Sequence, residues 1–258
     1  MGTALLTAWN YKTNNQFTVV DPIQYTKINK KFKYKVKAFK SISKIKTTSQ
    51  FDVIIFAIKP QITDEVLKNF SSYKFKRTAV FVSVVAGKKI NFFAKYLPKN
   101  IQFIRVMPNM PSIINEGMSC MAHNKFVTKK NRDKINSFFL KVGKTLWLKN
   151  ENEINKVTAI SGSGPGYIFL FIDAFEKAAI KFGLSSKNTK KIIHQTALGS
   201  ILLLLSGQKS AEELVKDIAI EGGTTEAALK EFKKNNLFYK IIKKAVKAAL
   251  VRAEELGK

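Results

Sequence analysis

The sequence predicts an α/β domain followed by an all-α domain. Before about residue 150, short apolar runs rich in β-branched and aromatic residues alternate with polar stretches. Such runs are typical of strands that are buried on both faces of a parallel sheet. After that point, every segment long enough to judge has the pattern of a helix. We therefore expect one domain at residues 1–150 and a second at residues 151–258.

Five segments of the first domain are predicted strands, because each is a short apolar run bounded by polar residues. A sixth apolar run, at residues 145–148, closes the domain. The five predicted strands are residues 17–20, 53–58, 79–85, 101–106 and 118–122.

Residues that start and stop helices divide the second domain. Pro165 and Gly183 bracket one helix, and Ser185 can cap the next. Ser210 with Glu213 three residues later forms the pattern of a capping box. Several of these helices are apolar around most of their circumference, so we expect a second subunit to cover them. The predicted helices are residues 166–182, 186–205, 211–218, 225–234 and 237–255.

The composition is that of a folded protein, with 45% hydrophobic and 24% charged residues in a chain of 258. One cysteine, Cys120, excludes an internal disulfide, and His123 and His194 lie too far apart to predict a metal site. No apolar run approaches the ~20 residues that cross a bilayer, and residues 1–10 lack the pattern of a secretory signal. We expect no membrane span and a cytoplasmic location.

The formal net charge of +27 attracts polyanions. The basic residues are spread along the chain and do not form one basic arm, which indicates a compositional bias. We therefore expect no specific nucleic-acid partner. Nonspecific binding of polyanions stays open as a weaker alternative.

Two predicted strands end in loops that contain proline: residues 56–61 (Phe-Ala-Ile-Lys-Pro-Gln) and residues 105–111 (Arg-Val-Met-Pro-Asn-Met-Pro). Ligands of α/β sheets bind in the crevice at the carboxyl ends of strands. Taken singly, each loop is explained equally well without a ligand, as a structural turn or as the start of a helix at proline.

Two further loops are rich in small residues and precede helices: residues 161–165 (Ser-Gly-Ser-Gly-Pro) and residues 222–225 (Gly-Gly-Thr-Thr). Both place backbone N–H groups and hydroxyls at a helix N-terminus, where an anion is favoured. A simple helix cap is the alternative for each loop. Together they favour a site for a small anion.

In this combination and order, these motifs resemble the pyrroline-5-carboxylate reductase family, which catalyses the last step of proline biosynthesis. The resemblance covers nearly the whole chain. It is carried by residues 57–61, 83–87 (Ser-Val-Val-Ala-Gly), 106–111 with Glu116-Gly117, 160–167 and 222–225.

The resemblance implies a Rossmann-type domain that binds NAD or NADP and a helical domain that forms homodimers, sometimes assembled into decamers. It implies that hydride passes to the C=N carbon of 1-pyrroline-5-carboxylate and that the Thr225 hydroxyl is the catalytic group beside the ring nitrogen. The implied substrate-binding residues are Gly222, Gly223, Thr224, Thr225, Ser161 and Ser163. The implied cofactor-binding residues are Gly2, Asp21, Ala57, Lys59, Pro60 and Asn109.

The start of the sequence departs from the family. Met1-Gly2 corresponds to the last two positions of the G-x-G-x-x-G fingerprint, so the first strand and the first two glycines are missing. Three explanations stay open. The start lies at an internal methionine of a longer reading frame, the chain is a decaying gene product, or it is a truncated, catalytically inactive paralogue that still dimerises.

Two other positions leave questions open. Ile220-Glu221 stands where the family usually has Ser-Pro, and a carboxylate at Glu221 would repel an anionic substrate unless it points away. Asp21 either binds the ribose hydroxyls, which favours NAD, or ends a strand with a turn. Lysines near it could neutralise the additional phosphate of NADP.

Overall fold

The computed structural model describes residues 1–12, 14–32 and 35–257. The chain divides into two compact units. The first comprises Met1–Ser163 together with Ala249–Lys258, and the second comprises Gly164–Ala248. This division falls after the predicted boundary at residue 150, and the C-terminal end of the chain returns to the first unit.

The first unit alternates strands and helices. The strands are β1 (Phe17–Val20), β2 (Val36–Phe39), β3 (Val53–Phe56), β4 (Val80–Ser83), β5 (Gln102–Pro108), β6 (Gly117–His123) and β7 (Gly143–Trp147). The helices are α1 (Gly2–Lys12), α2 (Tyr25–Lys31), α3 (Thr63–Phe70), α4 (Ile90–Ala94), α5 (Lys129–Leu140) and α6 (Glu153–Val157).

These strands form two sheets. β1 and β2 pair in parallel as a two-stranded sheet, and β3-β4-β5-β6-β7 form a second sheet in which only β5 and β6 are antiparallel. The Rossmann order is 3-2-1-4-5-6, and β2-β1 followed by β3-β4-β5 is that order without its central strand. The predicted Rossmann-type domain with its first strand missing is confirmed.

Helix α1 packs against both sheets. Leu5 and Trp9 belong to the hydrophobic cluster on β4, β5 and β6, while Leu6 belongs to the cluster on β1 and β2. The indole Nε1 of Trp9 also donates a hydrogen bond of 2.7 Å to the Phe138 carbonyl. Phe17 of β1 packs against both clusters and stacks on Trp9. Burying one such side chain contributes about 1.5–3 kcal/mol, so α1 and Phe17 together form an apolar connection between the sheets.

Strand β2 was not predicted from the sequence. Lys37 interrupts its apolar residues, and only Val36 and Ala38 are buried. The alternation of buried and exposed residues is typical of a strand with one solvated face. A four-residue strand with a lysine at its second position lacks the continuous apolar run that predicts a buried strand.

The second unit is helical and follows the predicted caps. It contains α7 (Gly164–Lys181), α8 (Ser186–Leu205), α9 (Ala211–Ile218) and α10 (Thr224–Lys233), and most of α11 (Leu237–Glu255). The capping box of Ser210 and Glu213 is confirmed, with both reciprocal hydrogen bonds present. Ser185 accepts a hydrogen bond from the Asn188 amide at the start of α8. None of the described helices is both long and apolar enough to cross a bilayer.

Helices α7 and α8 expose many large apolar side chains in the single chain. No residue of α7 is buried, although the helix is strongly apolar. This exposure is typical of a surface that another polypeptide covers. The exposed residues include Phe169, Leu170, Phe171, Leu198, Ile201, Leu202 and Leu203.

A buried arginine on β5 connects this strand to α6 and to the residues just before it. Arg105 on β5 is 1% exposed. Its guanidinium lies 3.2 Å from Glu151 Oε1 and donates a bond of 3.1 Å to Asn155 Oδ1. Glu151 Oε1 also accepts from the Ile90 amide at 2.7 Å. Burial lowers the pKa of Arg105, and Glu151 opposes that shift, so the carboxylate is what makes this buried cation tolerable.

Removing the carboxylate should therefore destabilise the first unit. We expect Glu151→Ala to lower the free energy of unfolding by about 3 kcal/mol, because it leaves a buried guanidinium unpaired. The exposed pair of Asp52 and Lys76, 2.7 Å apart, supplies the control, since Asp52→Ala should cost less than about 1 kcal/mol. Urea unfolding followed by the fluorescence of Trp9 and Trp147 measures both. Equal losses for the two variants would contradict this account.

Candidate functional site

The carboxyl ends of β3, β4 and β5 lie at one edge of the larger sheet, because these strands are parallel. Ala57 and Lys59 follow β3 and are exposed, and Pro60 begins a short 3₁₀ helix directly after them. Asn109 follows β5 at the same edge. We call this edge the carboxyl edge. It collects the predicted cofactor-binding residues of the larger sheet.

The start of α1 lies at the same edge. A Cβ added at Gly2 would be 3.2 Å from the Ala57 Cβ, tighter than ordinary contact. Gly2 therefore allows the helix to approach the end of β3 closely. The structure brings these two predicted cofactor-binding residues together.

The first turn of α1 offers free donors. Its first intrahelical bond runs from the Leu5 amide to the Met1 carbonyl at 3.1 Å, so the amides of residues 2–4 have no acceptor within the helix. The first turn contains no acidic residue, and the helix dipole adds positive potential there. With Lys59 exposed at the same edge, the arrangement suits a phosphate group.

Asp21 lies directly after β1. Its Oδ1 accepts hydrogen bonds from the amides of Ile23 at 2.9 Å and Gln24 at 2.8 Å. These bonds form the strand-ending turn that the sequence offered as one explanation of this residue. The other explanation, a contact with ribose hydroxyls, stays a prediction.

Asn109 connects the carboxyl edge to the loop of residues 161–165 (Ser-Gly-Ser-Gly-Pro). Its Nδ2 donates to the Ser161 carbonyl at 3.2 Å and to Ser161 Oγ at 3.3 Å, while its Oδ1 accepts from the Met118 amide at 2.8 Å. A residue predicted to bind cofactor thus holds a residue predicted to bind substrate. The sequence predicted both residues but not the bond between them.

Ser161 lies in a π-helical turn, Thr158–Gly162. Single π turns are rare and are frequent at functional sites. The Ser163 amide closes the turn with a bond of 2.9 Å to the Thr158 carbonyl. The sequence predicted this segment only as a loop of small residues.

The Gly-Gly-Thr-Thr turn belongs to the second unit. Gly222 has a φ of +74°, which side-chain-bearing residues rarely adopt. Gly223 is the N-cap of α10, which begins at Thr224. The amides of the first turn of α10, Thr225 among them, point out of the helix end without an intrahelical acceptor. Free backbone donors therefore lie at this turn, and the binding of an anion to them stays a prediction.

Glu226 contacts the Gly-Gly-Thr-Thr turn and was not among the residues predicted from the sequence. Its Oε2 accepts a bond of 3.0 Å from the Gly222 amide, and its Oε1 lies 3.1 Å from Lys230 Nζ. The Gly222 bond, followed by Lys230, lowers the pKa of Glu226, so a charged carboxylate stands at the turn at neutral pH. An acid in the first helical turn after Thr225 was the available signal.

Comparisons with known proteins agree with this architecture. Residues 151–256 match the family described as pyrroline-5-carboxylate reductase dimerisation. The pyrroline-5-carboxylate reductase of Vibrio alginolyticus is 33% identical over 215 residues, which are 83% of this chain and 78% of the relative. That of Arabidopsis thaliana is 34% identical over 206 residues, covering 80% and 73%.

Solved structures extend the match to the whole chain. A pyrroline-5-carboxylate reductase from Coxiella burnetii superposes with a TM-score of 0.86 at 29% identity, covering all of this chain and 95% of that one. The pyrroline carboxylate reductase of Plasmodium falciparum, solved with NADP bound, gives 0.83 at 27% identity, covering 100% and 96%. By sequence identity, coverage and fold, the chain belongs to the pyrroline-5-carboxylate reductase family.

Proposed function

We propose that this protein reduces 1-pyrroline-5-carboxylate to L-proline with NADH or NADPH. The observation that carries the proposal is the hydrogen bonding of Asn109 to Ser161 at the carboxyl edge. It joins the loop expected to contact the cofactor to the loop expected to contact the substrate. Relatives named as pyrroline-5-carboxylate reductases, including one solved with NADP, support the assignment.

The residues at the carboxyl edge have the donors and charge needed to bind a phosphate group of a dinucleotide. The free amides of the first turn of α1 and the exposed Lys59 supply donors and positive potential without a competing acid. When bound, the nicotinamide would supply a hydride from C4 to the C=N carbon, and a proton on the ring nitrogen completes L-proline. Asp21 and its turn leave the choice between NAD and NADP open.

The protein's own task is positioning. A protonated imine is already electrophilic, so holding it at the right distance supplies much of the rate. Asn109 fixes Ser161, and the amides at the start of α10 receive the substrate carboxylate. The Thr225 hydroxyl would form a hydrogen bond with the ring nitrogen of the substrate and assist the transfer of a proton to that nitrogen. No histidine or metal ion is required for this chemistry.

The dimerisation family that matches residues 151–256 supports a homodimer. The exposed apolar side chains of α7 and α8 are the surface we assign to it. Assembly of such dimers into a decamer and a cytoplasmic location follow from the same family assignment and belong to this proposal.

Oxidation of NADH and of NADPH in the presence of 1-pyrroline-5-carboxylate, with L-proline measured as product, tests the proposal. We expect turnover with at least one nucleotide. The second candidate function is a non-catalytic dimer, which the division of the sheet into two parts favours. A folded dimer that binds neither nucleotide and forms no L-proline would establish that alternative.

Thr225→Ala should lower kcat by about 10²-fold if the hydroxyl assists proton movement. Thr225→Ser keeps a hydroxyl and should retain most of the activity. Thr196→Ala removes an exposed threonine of α8 and serves as the control. Steady-state kinetics at several pH values measures all three. Unchanged kcat in Thr225→Ala would remove this side chain from the mechanism.

Glu226→Gln should lower the KM for 1-pyrroline-5-carboxylate by about threefold, because the variant removes a like charge from the carboxylate-binding turn. Increasing salt should reduce the difference from the unmodified protein. Glu231→Gln, on an exposed position of the same helix, controls for a general change in charge. An unchanged KM in Glu226→Gln would place the substrate carboxylate elsewhere.

A further inference from the structure

We propose that Asn155 is a positioning residue: its hydrogen bond with Arg105 holds the π turn, Thr158–Gly162, and with it Ser161, in place on β5. The inference rests on the proposed function, because it concerns the loop expected to contact the substrate. Asn155 lies on α6, which runs directly into the π turn. It is 8% exposed, and its Oδ1 accepts the bond of 3.1 Å from the guanidinium.

Three residues on one face of β5 contact this part of the chain. Arg105, Met107 and Asn109 alternate along an extended backbone, so their side chains lie on the same side. Arg105 binds α6, and Asn109 binds the π turn. Between them, the end of the Met107 side chain lies against Gly162, where an added Cβ would be 2.7 Å from Met107 Cε. These attachments oppose a shift of the segment along β5.

The π turn requires such attachment because its conformation is rare and competes with the ordinary α-helical one. The Ser163 amide donates to the Thr158 carbonyl, five residues earlier, at 2.9 Å. An α-helical turn would make this bond one residue sooner. Return to that pattern would rotate Ser161 about the helix axis by as much as about 100°, the angle that one helical residue occupies. Ser161 would then turn away from Asn109.

The position of Ser161 decides which groups its hydroxyl can bind. Ser161 Oγ accepts a hydrogen bond of 3.3 Å from Asn109 Nδ2, which leaves its own proton available for a further acceptor. Under the proposed function, that acceptor belongs to the substrate. A displaced Ser161 would weaken this bond equally in the bound substrate and in the transition state. Such a loss raises KM and leaves kcat nearly unchanged.

Asn155 can be replaced without leaving the buried arginine unpaired. Glu151 Oε1 lies 3.2 Å from the Arg105 guanidinium and remains in place when Asn155 is changed. Ile154 and Ala159 are both buried and keep α6 and the π turn on the core. Asn155→Leu therefore removes one hydrogen bond from the guanidinium, keeps the ion pair, and should leave the fold intact.

The test compares Asn155→Leu with two further variants. Asn155→Asp keeps an oxygen acceptor for Arg105 and should behave as the unmodified protein does. Asn131→Leu is the matched control, because Asn131 is 6% exposed and its Nδ2 donates to the Thr78 carbonyl and to Gln102 Oε1. This control loses buried hydrogen bonds of the same kind on α5, and none of them involves the π turn.

Steady-state kinetics gives the first readout. We expect Asn155→Leu to raise the KM for 1-pyrroline-5-carboxylate by about tenfold, while kcat changes by less than about threefold. Asn155→Asp and Asn131→Leu should keep a KM within about twofold of that of the unmodified protein. A merely structural role would not move KM, because a smaller folded fraction lowers only the apparent kcat.

Native-state amide hydrogen exchange gives a second readout that needs no turnover. The Ser163 amide closes the π turn, and the Val84 amide, bonded to the Phe56 carbonyl at 3.0 Å, reports on the sheet. In Asn155→Leu, exchange at Ser163 should accelerate by about tenfold more than exchange at Val84. In Asn131→Leu, both amides should accelerate by the same factor.

Three results would overturn the proposal: equal acceleration at Ser163 and Val84 in Asn155→Leu, no recovery in Asn155→Asp, or an unchanged KM in an active Asn155→Leu enzyme. A KM that rises equally in Asn131→Leu would overturn it as well. If the unmodified protein forms no L-proline, the proposed function fails by itself. Exchange at Ser163 then still decides whether Asn155 holds the π turn, so the two failures are distinguishable.

Discussion

The packing of α1 across two separate sheets is the contact on which the first unit depends. β1 and β2 share no strand with the five-stranded sheet, so no backbone ladder joins the two parts. Leu6 is buried in the cluster on the smaller sheet, and Leu5 and Trp9 are buried in the cluster on the larger one. Within the described residues, the two sheets are joined by side-chain packing, from the apolar face of α1 and from Phe17 of β1.

That packing also positions the candidate site. Because Gly2 approaches Ala57 closely, the free amides of α1 lie at the carboxyl edge of the larger sheet. Asn109 then extends the edge to the π turn through Ser161. The elements that we propose to bind a cofactor phosphate and to position the loop with Ser161 are therefore α1, β3 and β5.

Much of this architecture was predictable from the sequence because its signals are local. β1 at Phe17–Val20 and α11 at Leu237–Glu255 have the predicted bounds, and the Ser210 capping box was correct. β2 was missed because Lys37 breaks its apolar pattern. The sequence did not predict the hydrogen bond of Asn109 to Ser161 or that of Gly222 to Glu226. Both depend on the three-dimensional positions of side chains. A pattern in the sequence can nominate such residues, but it carries no information on which atoms meet.

Native-state hydrogen exchange is the measurement that tests the role of α1 most directly. If α1 unites the two sheets, the slowest amides of β1 and β2 should open with the same free energy as those of β4 and β5, within about 1 kcal/mol. Trp9→Ala should then lower both values together. Rapid exchange throughout β1 and β2, while β4 and β5 stay protected, would contradict the account and show that the smaller sheet folds without support from the helix.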